Sequence, residues 1–115
     1  MKFKILRACP EVKPIKLVNG EYEIYALEEI TIHPDTQNKV KTGIRMEFNE
    51  NYFAFINYEN DSLQTLAGVV DSDYRGEIIV MLYNFGDKPV TIRKNEKCAN
   101  ITFHAIKHKL MVEIF

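Results

Sequence analysis

The chain has 115 residues, with 15 Lys and Arg against 16 Asp and Glu, a formal net charge of −1. That near-neutral balance excludes the basic excess needed for broad nucleic-acid or membrane-surface binding. An apolar share of 46% excludes a disordered chain, and the length predicts one domain, 1–115, able to bury a core without disulfides or a structural metal.

The first segment, "MKFKILRACP", carries positive charge, but its apolar run Ile5-Leu6 ends at Arg7 and is too short for a signal peptide. Cys9 and Cys98 are too few for a disulfide framework, and no run is long and apolar enough to span a membrane. An intracellular location with reduced thiols is therefore expected. Short runs rich in Ile, Val, Tyr, Phe and Thr follow one another: 3–8, 22–26, 30–33, 40–48, 52–56, 77–84, 90–92 and 99–106, with a last strand over 109–115. Asn19-Gly20, Pro34-Asp35, Asn49-Glu50-Asn51 and Gly86-Asp87 punctuate them as turns. No stretch of 12 or more residues keeps helical periodicity; only 61–66 is predicted as a helical turn, capped by Asp61 or Ser62. Many short strands at regular spacing predict an all-β sandwich or barrel.

Residues 67–84, "AGVVDSDYRGEIIVMLYN", hold the densest pattern. Ile78 to Leu82 are apolar on both alternating faces, which predicts a strand covered on both sides, by core or by another subunit. The polar corner 71–76 sits at its mouth, where a rigid scaffold can hold a site. The plainer alternative is an Asp-rich turn in which Gly76 relieves backbone strain.

Other candidates have simpler readings. His104 and His108 are four apart, but in a strand that separation is about 13 Å at about 3.3 Å per residue, too far for one zinc. Asp71 and Asp73 lack the spaced oxygen ligands of a calcium loop. Cys98, within an apolar strand, reads as a packed small side chain. Glu113-Ile114-Phe115 matches an acid-x-hydrophobic C-terminal pattern, which three residues support only weakly.

The segment "GVVDSDYRGEIIVMLYN", residues 68–84, resembles the third signature motif of the trimeric dUTPase (deoxyuridine triphosphate nucleotidohydrolase) family, roughly G-(V/I)-I-D-x-D-Y-R-G followed by a hydrophobic strand and Asn. "VKTGIRMEF", residues 40–48, is similar to the family's V-x-T-G-I/L segment. "VTIRKNEKCANITFHAI", residues 90–106, is similar to the fourth motif. The resemblance implies a distorted jelly-roll barrel of β-clip type and a homotrimer with sites at subunit contacts. It assigns water activation to Asp71 and the surface beneath the deoxyribose to Tyr74. It also brings Gly68, Thr65 and Asn100 to the substrate, the last two in place of the family's asparagine and glutamine. Glu23 stands where an aspartate holds hydrated magnesium.

Several positions depart from the family pattern. Glu21 replaces a motif-one glycine, and Asn95 a motif-four glycine. The P-R-S-G of motif two is replaced by "INYENDSL", residues 56–63, with Glu59 and Asp61 where phosphate-binding donors are expected. A Gly-rich C-terminal arm has no counterpart. From these departures the expectation is a non-catalytic protein of this fold, a viral or phage-like member. It would bind a protein partner or a deoxyuridine nucleotide and use no cofactor. The alternative is an active dUTP diphosphatase using magnesium. At the corner itself, the expectation is a structural relic: Asp71 bracing the turn through backbone N–H groups and Tyr74 buried against the following strand.

Overall fold

The computed structural model describes residues 2–60 and 62–106. Thirteen strands run among them: β1 (Phe3–Arg7), β2 (Lys16–Val18), β3 (Glu21–Tyr25), β4 (Ile30–Ile32), β5 (Gln37–Lys41), β6 (Ile44–Phe48), β7 (Tyr52–Asn57), β8 (Glu59–Asn60), β9 (Leu63–Thr65), β10 (Val69–Val70), β11 (Ile79–Asn84), β12 (Val90–Ile92) and β13 (Lys97–Ala105). Their antiparallel pairs build a five-stranded sheet β10-β7-β13-β3-β2, a four-stranded sheet β5-β11-β9-β8, and the two-stranded sheets β1-β6 and β12-β4. The all-β jelly-roll-like expectation holds, but the described strands do not close into a barrel.

Alternation along the strands makes the core. Ile24, Ile44, Met46, Ile78, Leu82 and Ile101 are fully buried. At one end Phe3 packs its ring 4.7 Å from Phe103 and 5.0 Å from Tyr22. Removing this apolar surface from water is the main force holding the sheets together. Cys98 lies in the same core, and burial pushes its thiol up to about 12.

The turn signals act as their chemistry requires. Asn19 and Gly20 have φ of 51° and 81° and join β2 to β3 through a two-residue hairpin. That turn creates β2, which its mostly exposed side chains had hidden from the pattern. Asp35 likewise occupies the left-handed region, at φ 56°.

Two expectations change. Residues 40–48 are two strands, broken where Gly43 takes φ 69°, so that β5 pairs with β11 and β6 with β1. Residues 63–65 form β9 rather than a helical turn, because backbone pairing with β11 outweighs the capping signal; Asp61 lies outside the described residues. In β11, Val80, Leu82 and Asn84 are buried, while Ile79, Met81 and Tyr83 are only half-buried. One face of this strand therefore belongs to the core, and the other opens onto a cavity described below. The strand expected over 109–115, His108 and the C-terminal Glu113-Ile114-Phe115 lie outside the described residues. His104 stacks on Phe53 at 5.2 Å and shares a 2.7 Å hydrogen bond with Thr102.

Asn84 is fully buried and works as a clasp. Its Nδ2 donates to the carbonyls of Ile32 (2.9 Å) and Lys88 (2.8 Å), and its Oδ1 accepts from the N–H of Gly86 (2.8 Å). Only an amide supplies both roles. Asn84→Asp turns two donors into acceptors facing carbonyls, so it should cost about 3 kcal/mol or more in urea denaturation at neutral pH. The thiols give a second check. Cys9 is exposed, so one thiol should react promptly with a maleimide at pH 8, and Cys98 only in denaturant. Two fast thiols in the folded protein would contradict this core.

Candidate functional site

The polar corner is built on close backbone approach. The Ile56 N–H donates to the Gly68 carbonyl at 2.6 Å, and a Cβ on Gly68 would stand 2.0 Å from the Ile56 carbonyl oxygen. Glycine is needed here for space, and it lets β10 lie against β7. The chain then turns, with the Tyr74 N–H donating to the Asp71 carbonyl at 3.1 Å. Arg75 caps the turn from outside, donating to the Ser72 carbonyl at 2.5 Å. Its 3.9 Å contact with Glu47 is solvent-exposed and adds little stability. The Tyr74 ring lies against Gly76, where a Cβ would meet its Oη at 2.5 Å. Its hydroxyl donates to the Glu77 carbonyl at 2.7 Å.

Beyond the corner the chain is fastened to the break between β5 and β6. Glu77 Oε2 accepts from the Gly43 N–H at 2.9 Å, and the Ile78 N–H donates to the Ile44 carbonyl at 2.7 Å. The buried Thr42 hydroxyl donates to the Ile78 carbonyl at 2.7 Å and accepts from the Ile44 N–H at 3.2 Å. The sequence showed Thr42-Gly43 and Glu77 as parts of two separate motifs; it gave no sign that they meet.

Between this corner and the open face of β11 lies a cavity of about 520 Å³, with Asp71, Asp73, Tyr74 and Arg75 at its rim and Ile56, Ile79 and Met81 on its apolar wall. Its size and its mixture of apolar wall with a few polar groups suit a small ligand. The Asp71 carboxylate makes no hydrogen bond or ion pair among the described residues. Tyr74 is 44% exposed. Both facts correct the expectation of a structural relic: the turn is closed by the Asp71 carbonyl rather than its carboxylate, and the Tyr74 ring stands at the cavity rather than in the core.

Gly68 lines this cavity, but Thr65, Asn100 and Glu23 do not. Thr65 pairs with Leu82 in the four-stranded sheet, its hydroxyl 3.5 Å from Asn57 Oδ1. Asn100 faces a second hollow of about 390 Å³ with Tyr58, Glu59, Asn60, Glu96 and Lys97. Glu23 lies opposite Asn100 on β3, 3.4 Å from Lys97 Nζ and hydrogen-bonded by the Tyr25 hydroxyl at 3.2 Å. Burial, with Glu23 beside it, raises the Tyr25 phenol above its usual range. The Glu23 carboxylate is thus shared between Lys97 and Tyr25 and lies outside the Asp71 cavity. No group of three or more His, Cys, Asp or Glu side chains that could hold a metal occurs among the described residues.

Two departures from the family pattern become explicable in the backbone. Asn95 has φ 69°, the region glycine occupies freely and asparagine tolerates better than most residues. Glu21 is not among the positive-φ residues, so its position needs no glycine for conformation.

Comparison with known proteins places these features. Residues 19–114 match the family model described as dUTPase. A deoxyuridine 5′-triphosphate nucleotidohydrolase of Caldanaerobacter subterraneus subsp. tengcongensis is 36% identical over 94 residues, covering 75% of this chain and 63% of the relative. The enzyme of that name from Heliobacterium modesticaldum is 33% identical, with 98% and 85% covered, and that from fowlpox virus 31% identical, with 81% and 68% covered. The first match thus spans less than two thirds of that relative's length. Among solved structures, a Staphylococcus bacteriophage 80alpha dUTPase with dUpNHpp superimposes with a TM-score of 0.90 at 13% identity, covering 98% of this chain and 88% of that one. A mutant dUTPase from phage phi11 of S. aureus gives 0.89 at 12% identity, with 99% and 97% covered. These two show the fold. The sequence relatives overturn the expectation of a non-catalytic binding protein, which gave too much weight to single positions outside an intact third motif. They come from bacteria, yeast and a virus alike, so a viral origin is not singled out.

The geometry sets an order of costs that runs against residue size. Gly68→Ala drives a methyl into backbone and should lose about 2–3 kcal/mol. Tyr74→Ala removes a half-exposed ring and one hydrogen bond and should lose about 1–2 kcal/mol, less than a buried aromatic truncation. Parallel urea melts of the two variants check this order.

Proposed function

The chain belongs to the dUTPase family, and on that premise we propose that it hydrolyses dUTP to dUMP and pyrophosphate. The observation that carries the reading is the uncommitted Asp71 carboxylate beside the exposed Tyr74 ring at the rim of a ligand-sized cavity. The deoxyribose rests on Tyr74, a flat and rigid surface. Asp71 accepts a proton from the attacking water, a task that requires a carboxylate within hydrogen-bond reach. The bond broken is the bridge between the α- and β-phosphoryl groups, and pyrophosphate leaves. Magnesium accompanies the nucleotide: it usually keeps several waters and binds through substrate phosphates. Glu23 stands apart from this cavity, 3.4 Å from Lys97 Nζ.

We propose further that copies of the chain complete the site together, as a homotrimer. Asn100 and Lys97 line a hollow that shares no residue with the Asp71 cavity. Groups divided in this way within one chain can meet on one nucleotide across a contact between copies.

Pyrophosphate release from dUTP with magnesium, measured beside Asp71→Asn, tests the reaction. Loss of a general base should lower kcat by about 10²–10⁴-fold while the melting temperature stays near that of the parent. A parent protein with no turnover above the no-enzyme control would sink the hydrolase reading. Sedimentation that shows only monomer across the assay concentrations would sink the shared site.

A further inference from the structure

The geometry points to Glu77 as the residue that positions Tyr74 and so sets the choice between deoxyribose and ribose, a role that rests on the proposed dUTP hydrolysis. Tyr74 is exposed and needs an anchor to act as a fixed wall. Glu77 provides it with two different groups. Its carbonyl accepts the Tyr74 hydroxyl at 2.7 Å, and its carboxylate reaches back to the Gly43 N–H at 2.9 Å. Gly43 is a stable post, being buried, at φ 69°, with a Cβ there reaching within 2.7 Å of Val12. On the other side Gly76, lacking a Cβ, leaves room for the hydroxyl end of the ring.

This arrangement has a chemical consequence. The Tyr74 hydroxyl has a single proton, and that proton is committed to Glu77. The wall beneath the sugar therefore offers no free donor from this side chain, and a ribose 2′-hydroxyl pressed against it loses water without gaining a donor. A buried polar group without a partner is disfavoured, and a site can discriminate on that basis. Should Glu77 release its hold, the ring tilts, its hydroxyl is freed, and the wall becomes both movable and polar.

Full-length Glu77→Ala, Glu77→Gln and Tyr74→Phe are compared for kcat/KM on dUTP and on UTP. Glu77→Ala should lower the dUTP/UTP ratio by about tenfold, chiefly by raising KM for dUTP. Glu77→Gln keeps an oxygen for the Gly43 N–H and should stay within about twofold of the parent. Tyr74→Phe cuts the same anchor from the other end without touching the β5–β6 corner, so it keeps the test open should Glu77→Ala fold poorly. It should raise KM for dUTP by loosening the ring, with a smaller fall in the dUTP/UTP ratio than Glu77→Ala, because a phenyl ring presents no polar group to the 2′-hydroxyl. Selectively labelled tyrosine NMR gives a readout independent of turnover: the Tyr74 ring resonances should move in Glu77→Ala and stay in Glu77→Gln. An inactive parent would sink the hydrolase reading and leave these resonances to decide the anchor. A Tyr74 resonance unmoved in Glu77→Ala, or an unchanged dUTP/UTP ratio in both Glu77→Ala and Tyr74→Phe, overturns the positioning role.

Discussion

The buried hydroxyl of Thr42 is the joint on which the site depends. It sits where β5 would run straight on into β6, and it holds the Ile78 carbonyl and the Ile44 N–H at once. Gly43 beside it takes a left-handed conformation that other residues adopt only with strain. Together they turn the chain from one sheet to another and leave two backbone groups pointing at the segment after the polar corner. A hydrophobic residue at position 42 would fill the space but leave those groups unpaired, a cost that packing does not recover. The start of β11, and with it the orientation of residues 71–77, is therefore referred to a fixed point in the core.

From that joint the functional groups follow in series. Glu77 hangs on Gly43, Tyr74 hangs on Glu77, and Gly76 leaves room for the ring. At the other end Gly68 brings β10 into contact with β7. The corner is thus braced on one side by the close backbone approach at Gly68 and on the other by the Glu77 carboxylate and the Tyr74 hydroxyl, while the carboxylates of Asp71 and Asp73 make no hydrogen bond or ion pair among the described residues. Asp71 contributes its carbonyl to the turn, and its carboxylate has no partner among the described residues. This division of labour is what a site needs. Side chains that do chemistry have to be held by others that do not.

The half-buried face of β11 has the same logic. A strand apolar on both faces was expected to be covered on both, by core or by another subunit; within this chain Val80 and Leu82 belong to the core, while Ile79 and Met81 form the apolar wall of the cavity. Nearby Phe85 and Leu66 are exposed at 59% and 49%, and Tyr83 packs on Phe85 at 4.5 Å. Departures from the motif pattern also read differently once the backbone is known. Asn95 supplies the left-handed turn that a glycine would have supplied, so that substitution leaves the start of β13 intact.

The sequence by itself determined the all-β class, most strands, the turns at Asn19-Gly20 and Pro34-Asp35, the packed character of Cys98 and the motif that holds Asp71 and Tyr74. These are local matters: alternation has a period of two, and Asn, Gly and Asp carry their turn preferences with them. Tertiary structure decided what depends on distant contacts. The break at Thr42-Gly43 is enforced by a partner at Ile78, and β9 by its pairing with β11. Tyr74 is as apolar in the sequence as any core aromatic, and only the direction set by Glu77 and Gly76 brings it to the surface. Thr65, Asn100 and Glu23 stand among the family motifs in sequence but are carried by other strands, away from the Asp71 cavity. Adjacency in a motif fixes spacing along the chain, whereas a site requires proximity in space, which only the pairing of the sheets provides.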